Sequence, residues 1–239
     1  MTPGSDIANL SVMGYDPRIY HTGRSPLEAL SIGIAMKEDD VSLRMNLVTL
    51  SDEENFLDKR MLDYSGGEIT TKESAQLMEA LMEPYNNNQD YAIYKGVSYR
   101  HILIWHQGSL KVQLTPPHNI TGEKIIGHLP KGDNADFFLD FMKKGNEILQ
   151  KHPINLKRIA EGKNPANSPW LWGEGLKPKM EDFHKLYSLK GGVISAVDLL
   201  RGMAIGAGME VIPVAGMTGT IHTNFKGKEL DCSGQYPRS

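Results

Sequence analysis

A serine hydroxyl attacks well only where its surroundings favour the ionised form. The string Pro3-Gly4-Ser5-Asp6 is the place in this chain where local pattern offers such surroundings. Glycine permits a sharp turn, and Ile7 and Leu10 after it predict a helix with Ser5 at its amino end. Unpaired amide groups and the positive end of the helix dipole meet there, which favours an anion or a developing alkoxide. A serine at that position is also an ordinary helix cap. Local sequence leaves both readings open.

Groups that could hold an oxyanion lie further along. Arg100 and His101 adjoin in a predicted strand, where neighbours point to opposite faces, so only one of them can look into a given cleft. A phosphate-binding arginine is the functional reading of that pair, and a solvated or core-satisfied side chain is the ordinary one. His118 follows Pro116-Pro117, a rigid turn that would fix an imidazole. Arg24 after Gly23, and Lys190 before Gly191-Gly192, place single cations beside turns where backbone amides are also free to bind. The remaining histidines lack metal-ligand spacing, and no HExxH, CxxC or P-loop string occurs.

The elements that must position these residues follow from periodicity and caps. Ser25-Pro26-Leu27-Glu28 reads as a helix start with a hydroxyl cap, proline in the first turn and a glutamate reaching back, after which Leu27, Leu30 and Ile34 share a face. MNLVTL over 45–50 predicts a strand, and Thr70 with Glu73 predicts a capping box for a helix to Met82, buried through Leu77, Met78, Leu81 and Met82. Runs at 91–95, 99–105 and 111–114 predict an antiparallel meander, and 133–151 a long helix carrying Phe137, Phe138 and Phe141. Proline, glycine and asparagine fill 153–182, which predicts an irregular surface segment carrying Trp170 and Trp172. From Gly191 an apolar helix, Gly208 and a strand over 209–214 predict the α-to-β half of a parallel α/β sheet. The middle of the chain therefore reads as an α+β unit, and the two ends as parts of another.

Composition narrows the function classes. With 26 basic and 29 acidic side chains, a net charge of −3 and no long run of either sign, nothing marks the chain for nucleic acid or an anionic membrane. One cysteine, Cys232, builds neither a disulfide framework nor a Cys-rich zinc site. No leader peptide and no apolar run of about 18 residues is read, so a soluble cytoplasmic protein is expected.

Several strings occur in order: Pro3-Gly4-Ser5-Asp6-Ile7-Ala8-Asn9-Leu10-Ser11, Gly14-Tyr15-Asp16-Pro17, Thr22-Gly23-Arg24-Ser25-Pro26-Leu27-Glu28-Ala29, Asn46-Leu47-Val48-Thr49-Leu50 and Tyr99-Arg100-His101. They continue with Pro116-Pro117-His118, His152-Pro153-Ile154-Asn155, Gly162-Lys163-Asn164-Pro165-Ala166-Asn167, Val193-Ile194-Ser195-Ala196-Val197-Asp198-Leu199-Leu200 and Gly216-Met217-Thr218-Gly219. This set resembles the archaeal-type 2,3-bisphosphoglycerate-independent phosphoglycerate mutases of the alkaline phosphatase superfamily. The resemblance implies an α/β fold: a partial alkaline-phosphatase-like core over 1–44 and 186–239, interrupted by an inserted α+β cap domain over 45–185. It implies interconversion of 3-phosphoglycerate and 2-phosphoglycerate through a phosphoserine, with two divalent metals, manganese or magnesium. By that resemblance Ser5 is the nucleophile and a metal ligand, and Arg24, Arg100, His101, His118 and Lys190 are the candidates for holding substrate. A hydrolase of phosphate or phosphonate esters is the alternative within the superfamily, and a non-catalytic remnant the alternative outside it.

Family members begin with an Asp-Gly strand and continue past the Gly216-Met217-Thr218-Gly219 string to Asp and His motifs that complete a binuclear site. Neither is read here, so the expectation from sequence is a fragment that is inactive by itself, with the missing core segments as partners.

Overall fold

The computed structural model describes residues 4–217 and 223–226. In chain order its helices are α1 (Ser5–Val12), α2 (Pro17–Tyr20), α3 (Ser25–Ser31), α4 (Thr71–Met82), α5 (Ala135–Leu149), α6 (Pro153–Ala160), α7 (Phe183–Tyr187) and α8 (Asp198–Gly206). Its strands are β1 (Val41–Leu50), β2 (Met61–Asp63), β3 (Tyr91–Tyr94), β4 (Arg100–Trp105), β5 (Val112–Gln113), β6 (Lys131–Gly132), β7 (Ser168–Leu176), β8 (Gly192–Val193) and β9 (Glu210–Val211). The chain divides into two compact units, Met36–Leu176 and, from both ends of the chain, Met1–Ala35 with Lys177–Ser239. The sequence reading placed these changes at 44/45 and 185/186.

The Met36–Leu176 unit is built on β1, whose ten residues are all buried. The reading from sequence took only 45–50 as strand, although Ser42, Arg44 and Asn46 alternate with Leu43, Met45 and Leu47 ahead of the apolar Val48 and Leu50. β1 pairs antiparallel with β4 from Val41 to Asn46, with β7 from Val41 to Val48, and with β2 at Thr49 and Leu50. β3 adds to β4, giving the order β2-β1-β4-β3 with β7 on β1.

Helix α4 forms as its caps dictate. Thr70 Oγ1 accepts from the Glu73 amide at 3.3 Å, and the Glu73 carboxylate accepts in return from the Thr70 amide. Its Leu77, Met78 and Leu81 join Phe138, Phe141 and Met142 of α5 and Leu43, Met45, Leu47, Leu103 and Leu171 of the sheet in one core. α5 approaches β7 closely because residue 145 is glycine: a Cβ there would lie 2.4 Å from Pro169 Cγ.

Two expectations for this unit are overturned. Residues 153–182 are not an irregular surface segment: they contain α6 and β7, and Trp170 is fully buried, with Trp172 nearly so. Pro169, Gly173 and Gly175 hid the strand. It tolerates them because β7 pairs with β1 alone, and because Gly173, at φ +66°, falls where the register shifts opposite Ser42 and Arg44. The run at 111–114 does not extend the meander. β5 pairs instead with β6, where Gly132, at φ +86°, allows an approach that would put a Cβ 2.1 Å from the Lys111 carbonyl oxygen.

The other unit gathers Leu10, Tyr15, Leu27, Leu199, Met203 and Ala207 into a smaller core. α3 packs directly on α8, and a Cβ at Gly202 would lie 1.7 Å from the Leu27 carbonyl oxygen, so only glycine fits. The predicted serine cap of α3 is displaced by one residue. Ser25 is the first helical residue, Arg24 precedes it as cap without a side-chain cap bond, and Glu28 pairs with Arg24. β8 and β9 pair in parallel around α8, as the order of a helix, a glycine stop and a strand foretold, although α8 starts at Asp198 and leaves Ile194 and Val197 outside it. Among the described residues no helix is long and apolar enough to cross a membrane.

Candidate functional site

Ser5 is the first residue of α1, and the cap position before it belongs to Gly4, whose backbone is extended (φ −153°, ψ 161°). The side chain of Ser5 is therefore not spent on capping, and the residue is exposed. A Cβ at residue 4 would lie 2.5 Å from Asp6 Oδ1, the end of a side chain that His21 holds in place. Asn9 Nδ2 donates to the Ser5 carbonyl oxygen at 2.6 Å, which ties the backbone of Ser5 into the first turn. Asp6 Oδ2 meets His21 Nε2 at 2.7 Å. That hydrogen bond is the main reason the Asp6 carboxyl is held below the usual carboxylate range, and it fastens the start of α1 to the end of α2.

The same unit holds two of the cations nominated from sequence. Arg24 is half-buried, and its Nε donates to Glu28 Oε1 at 3.0 Å across one helical turn. Lys190 is exposed in the stretch between α7 and β8.

The Met36–Leu176 unit separates Arg100 from His101, as strand geometry requires. His101 pairs with Met45 on the core side and is 1 % exposed. Its Nδ1 accepts from the Gly96 amide at 3.0 Å, so the ring is neutral with its proton on Nε2. Burial, reinforced by the nearby Lys95 charge, lowers its pKa to about 3. His101 thus fixes the turn that delivers the chain into β4, and Arg100 is the member of the pair that emerges on the other face.

That other face carries residues the sequence reading did not nominate. Asn46 lies directly opposite Arg100, and Arg44 opposite Ile102, so Arg44, Asn46 and Arg100 share one side of the β1–β4 ladder. The Arg44 guanidinium lies 4.7 Å from the centroid of the Trp172 ring. Trp172 Nε1 donates to Asn46 Oδ1 at 3.0 Å, and Asn46 Nδ2 donates to the Tyr64 carbonyl oxygen at 2.9 Å. His118 is exposed, and its ring stands edge-on to Trp172 at 5.2 Å and to Tyr64 at 6.2 Å. Tyr64 meets Tyr99 at 6.1 Å, and the Arg100 guanidinium lies 5.6 Å from the Tyr99 ring centroid. The result is a continuous wall of rings with a guanidinium at each end. Its sequence signal was available: Arg44 and Asn46 are the polar members of an alternation with Leu43, Met45 and Leu47, which places both on one face.

A pair of divalent metals needs roughly half a dozen protein ligands. Among the described residues no three His, Cys, Asp or Glu side chains gather as a metal-holding group. Beside Ser5 the carboxylate of Asp6 and the imidazole of His21 are committed to one another. The described donor set does not fit a two-metal centre.

Comparison with known proteins bears directly on this arrangement. The family model for 2,3-bisphosphoglycerate-independent phosphoglycerate mutase matches residues 1–155. A curated protein of that description from Methanosarcina barkeri is 50% identical over 226 residues, covering 94% of this chain and 55% of the relative. One from Geobacter sulfurreducens, described as a probable mutase of the same kind, is 48% identical over 226 residues, covering 95% of this chain and 56% of the relative. The chain therefore spans about half the length of the curated relatives it matches. Among solved structures, a protein from Pyrococcus horikoshii superposes with a TM-score of 0.69 at 25% identity, over 97% of this chain and 53% of that one. The cofactor-independent phosphoglycerate mutase of Thermoplasma acidophilum superposes with a TM-score of 0.58 at 23% identity, over 90% and 57%, and supports the fold. With a family match over more than half of the chain, this protein belongs to the 2,3-bisphosphoglycerate-independent phosphoglycerate mutase family.

Proposed function

We propose that this chain supplies the phosphoryl-accepting serine and the glycerate-holding residues of an enzyme that interconverts 3-phosphoglycerate and 2-phosphoglycerate. In this reading the unit built from the two ends of the chain is a partial alkaline-phosphatase-like core, and Met36–Leu176 is the inserted cap. The observation that carries it is Ser5: an exposed hydroxyl on the first residue of α1, released from capping by Gly4, in a chain of this family.

The chemistry is a double displacement. Ser5 Oγ attacks phosphorus, its proton leaves, and the ester bond to the glycerate oxygen breaks as that oxygen takes up a proton. The glycerate then turns, its other hydroxyl attacks the phosphoserine, and Ser5 recovers its proton. No atom is gained or lost, so the reaction is an isomerisation. The amino end of α1 favours the negative charge that gathers on the transferring group. Arg24 and Lys190 are proposed to hold phosphoryl oxygens, and Arg100 and His118 the glycerate, whose retention separates a mutase from a hydrolase. His101 acts as a positioning residue for Arg100. The resemblance implies two divalent metals, manganese or magnesium, which would lower the pKa of the serine hydroxyl. Because the described residues do not form their site, no step is derived through them.

The test is a graft. The 226 matched residues of the Methanosarcina barkeri relative are replaced by the corresponding residues of this chain. Phosphorus NMR with manganese supplied is expected to show 3-phosphoglycerate passing to 2-phosphoglycerate, and Ser5→Ala in the graft to stop it by 10³-fold or more (~4 kcal/mol at the transition state). A folded graft without activity, or one that releases mainly free phosphate, contradicts the proposal.

A further inference from the structure

β3 ends the sheet order, so only one of its sides is bonded to a neighbouring strand, β4. Register decides which groups are left over. His106 donates its amide to the Asp90 carbonyl oxygen at 2.8 Å, so Ala92 and Tyr94, opposite Ile104 and Ile102, are the residues whose N–H and C=O point toward β4. Tyr91, Ile93 and Lys95 turn theirs outward. Asn88 Oδ1 takes the Tyr91 amide at 3.0 Å. Among the described residues, nothing bonds to the Tyr91 carbonyl, to either backbone group of Ile93 or to the Lys95 amide.

An open edge is a template for another strand, and this set of four groups is its own complement. An antiparallel second copy, turned about a twofold axis through Ile93, brings Ile93 opposite Ile93 and Lys95 opposite Tyr91. Ile93 then exchanges two hydrogen bonds with its counterpart, and each Lys95 amide meets the partner's Tyr91 carbonyl oxygen. The Lys95 carbonyl, opposite the occupied Tyr91 amide, stays in solvent. Side chains agree with this register. On one face Ala92 leaves room for the partner's Tyr94, which is 36 % exposed. On the other, Ile93 borders an open cleft of about 270 Å³, lined also by Met82, Tyr85 and Asn86, into which the partner's Ile93 fits. No like charges meet, since Lys95 faces Tyr91 and Asp90 faces Gly96.

We propose that β3 is an interface for a second copy of this chain, the two sheets joining edge to edge about Ile93. An unrelated extended peptide meets the same open groups, but only a second copy supplies the matching donors and acceptors by symmetry. With a strand of four residues at its centre, the dimer is expected to form and dissolve with concentration. The proposal does not depend on the mutase reading.

The experiment is sedimentation equilibrium on the full chain, with residue-resolved amide exchange over the same concentrations. The mass is expected to rise toward that of two chains. Over that rise, exchange at Ile93 and Lys95 is expected to slow by about tenfold or more, while Ala92 and Tyr94, already bonded to β4, stay unchanged. Ile93→Pro removes an outward N–H without touching the bonds to β4, and it is expected to weaken association by about tenfold or more. Should that variant fail to fold, Lys95→Pro decides: it takes away the outer pair of bonds from an exposed position and is expected to weaken association likewise. Lys95→Ala loses the Glu79 ion pair but keeps the amide, and it is expected to associate as the wild type does. A chain that stays single at every concentration overturns the proposal. So does a dimer whose Ile93 and Lys95 amides exchange as freely as in the single chain, or a folded Lys95→Pro that associates undiminished. A single chain in which an added extended peptide of unrelated sequence protects those amides gives the edge to a foreign partner and overturns the proposal as well.

Discussion

The two units use their polar residues in opposite ways. In Met36–Leu176 the buried Arg158 donates to the carbonyl oxygens of Asn164 at 2.9 Å, Gly66 at 2.9 Å and Gly67 at 3.3 Å, and pairs with Glu73 at 3.2 Å. Asn155 and Asn167 likewise clasp neighbouring backbone from buried positions. In the unit formed from the chain ends the core is small, and Ser5 stands exposed on a helix whose one buried residue is Leu10. The larger core therefore carries the wall of rings and arginines, while Ser5, the proposed nucleophile, sits where little packing depends on it. Loss of function and loss of fold are expected to separate cleanly at Ser5 and to coincide at Arg158.

The sharpest way to break that contrast is Arg158→Met. Removing the guanidinium takes a donor from the buried Gly66 carbonyl and from those of Gly67 and Asn164 and breaks the Glu73 pair, and a loss of about 2–4 kcal/mol is expected in the urea stability of Met36–Leu176. A loss below about 1 kcal/mol would show that the network does not hold the scaffold.

Gly202→Ala probes the other unit. A methyl 1.7 Å from the Leu27 carbonyl oxygen forces α8 away from α3, at a cost of about 2–3 kcal/mol. Hydrogen exchange should show faster opening of α3 and α8 with the strands β1 and β4 unchanged, and equal loosening of both units would contradict the division between them.

The smallest effect is an acid-sensitive slope at His101. Its folded pKa of about 3 lies below the ordinary 6.5, so between those values the unfolded chain takes up a proton that the folded chain refuses. Stability from this group is therefore complete above pH 6.5 and declines as the pH falls toward 3, by up to about 1.4 kcal/mol per pH unit. His101→Gln offers an acceptor for the Gly96 amide without titrating, and it should flatten the dependence of the urea midpoint between pH 7 and pH 5. An unchanged slope would place the acid sensitivity elsewhere, with Asp6 contributing only below its usual range, where protonation breaks the His21 pair.

What could be read from sequence was what short-range geometry decides. The Thr70–Glu73 box, the stripe of Leu77, Met78 and Leu81, and the separation of Arg100 from His101 each follow from residues within one or two turns of one another. The choice of face was not readable: alternation says that Arg100 and His101 part company, but only the packing of β4 on β1 sends His101 inward. Residues 168–176 were hidden because proline and glycine signal a loop unless the strand has one neighbour and a bulge, which is a tertiary fact. Ser42 and Arg44 lay outside the strand read at 45–50, and they are part of the polar side of a strand buried along its whole length. The place of Ser5 at the start of a helix was legible from the residues around it, while the wall that stacks Arg44 on Trp172 joins residues far apart in the chain.

The most direct measurement for the whole account is the covalent state of Ser5. The grafted enzyme is mixed with 3-phosphoglycerate, quenched within its first turnovers and digested, and the peptides are weighed. The account predicts one phosphoryl group on the peptide containing Ser5, absent from Ser5→Ala. A phosphoryl group on another residue, or turnover with Ser5 never modified, would contradict it.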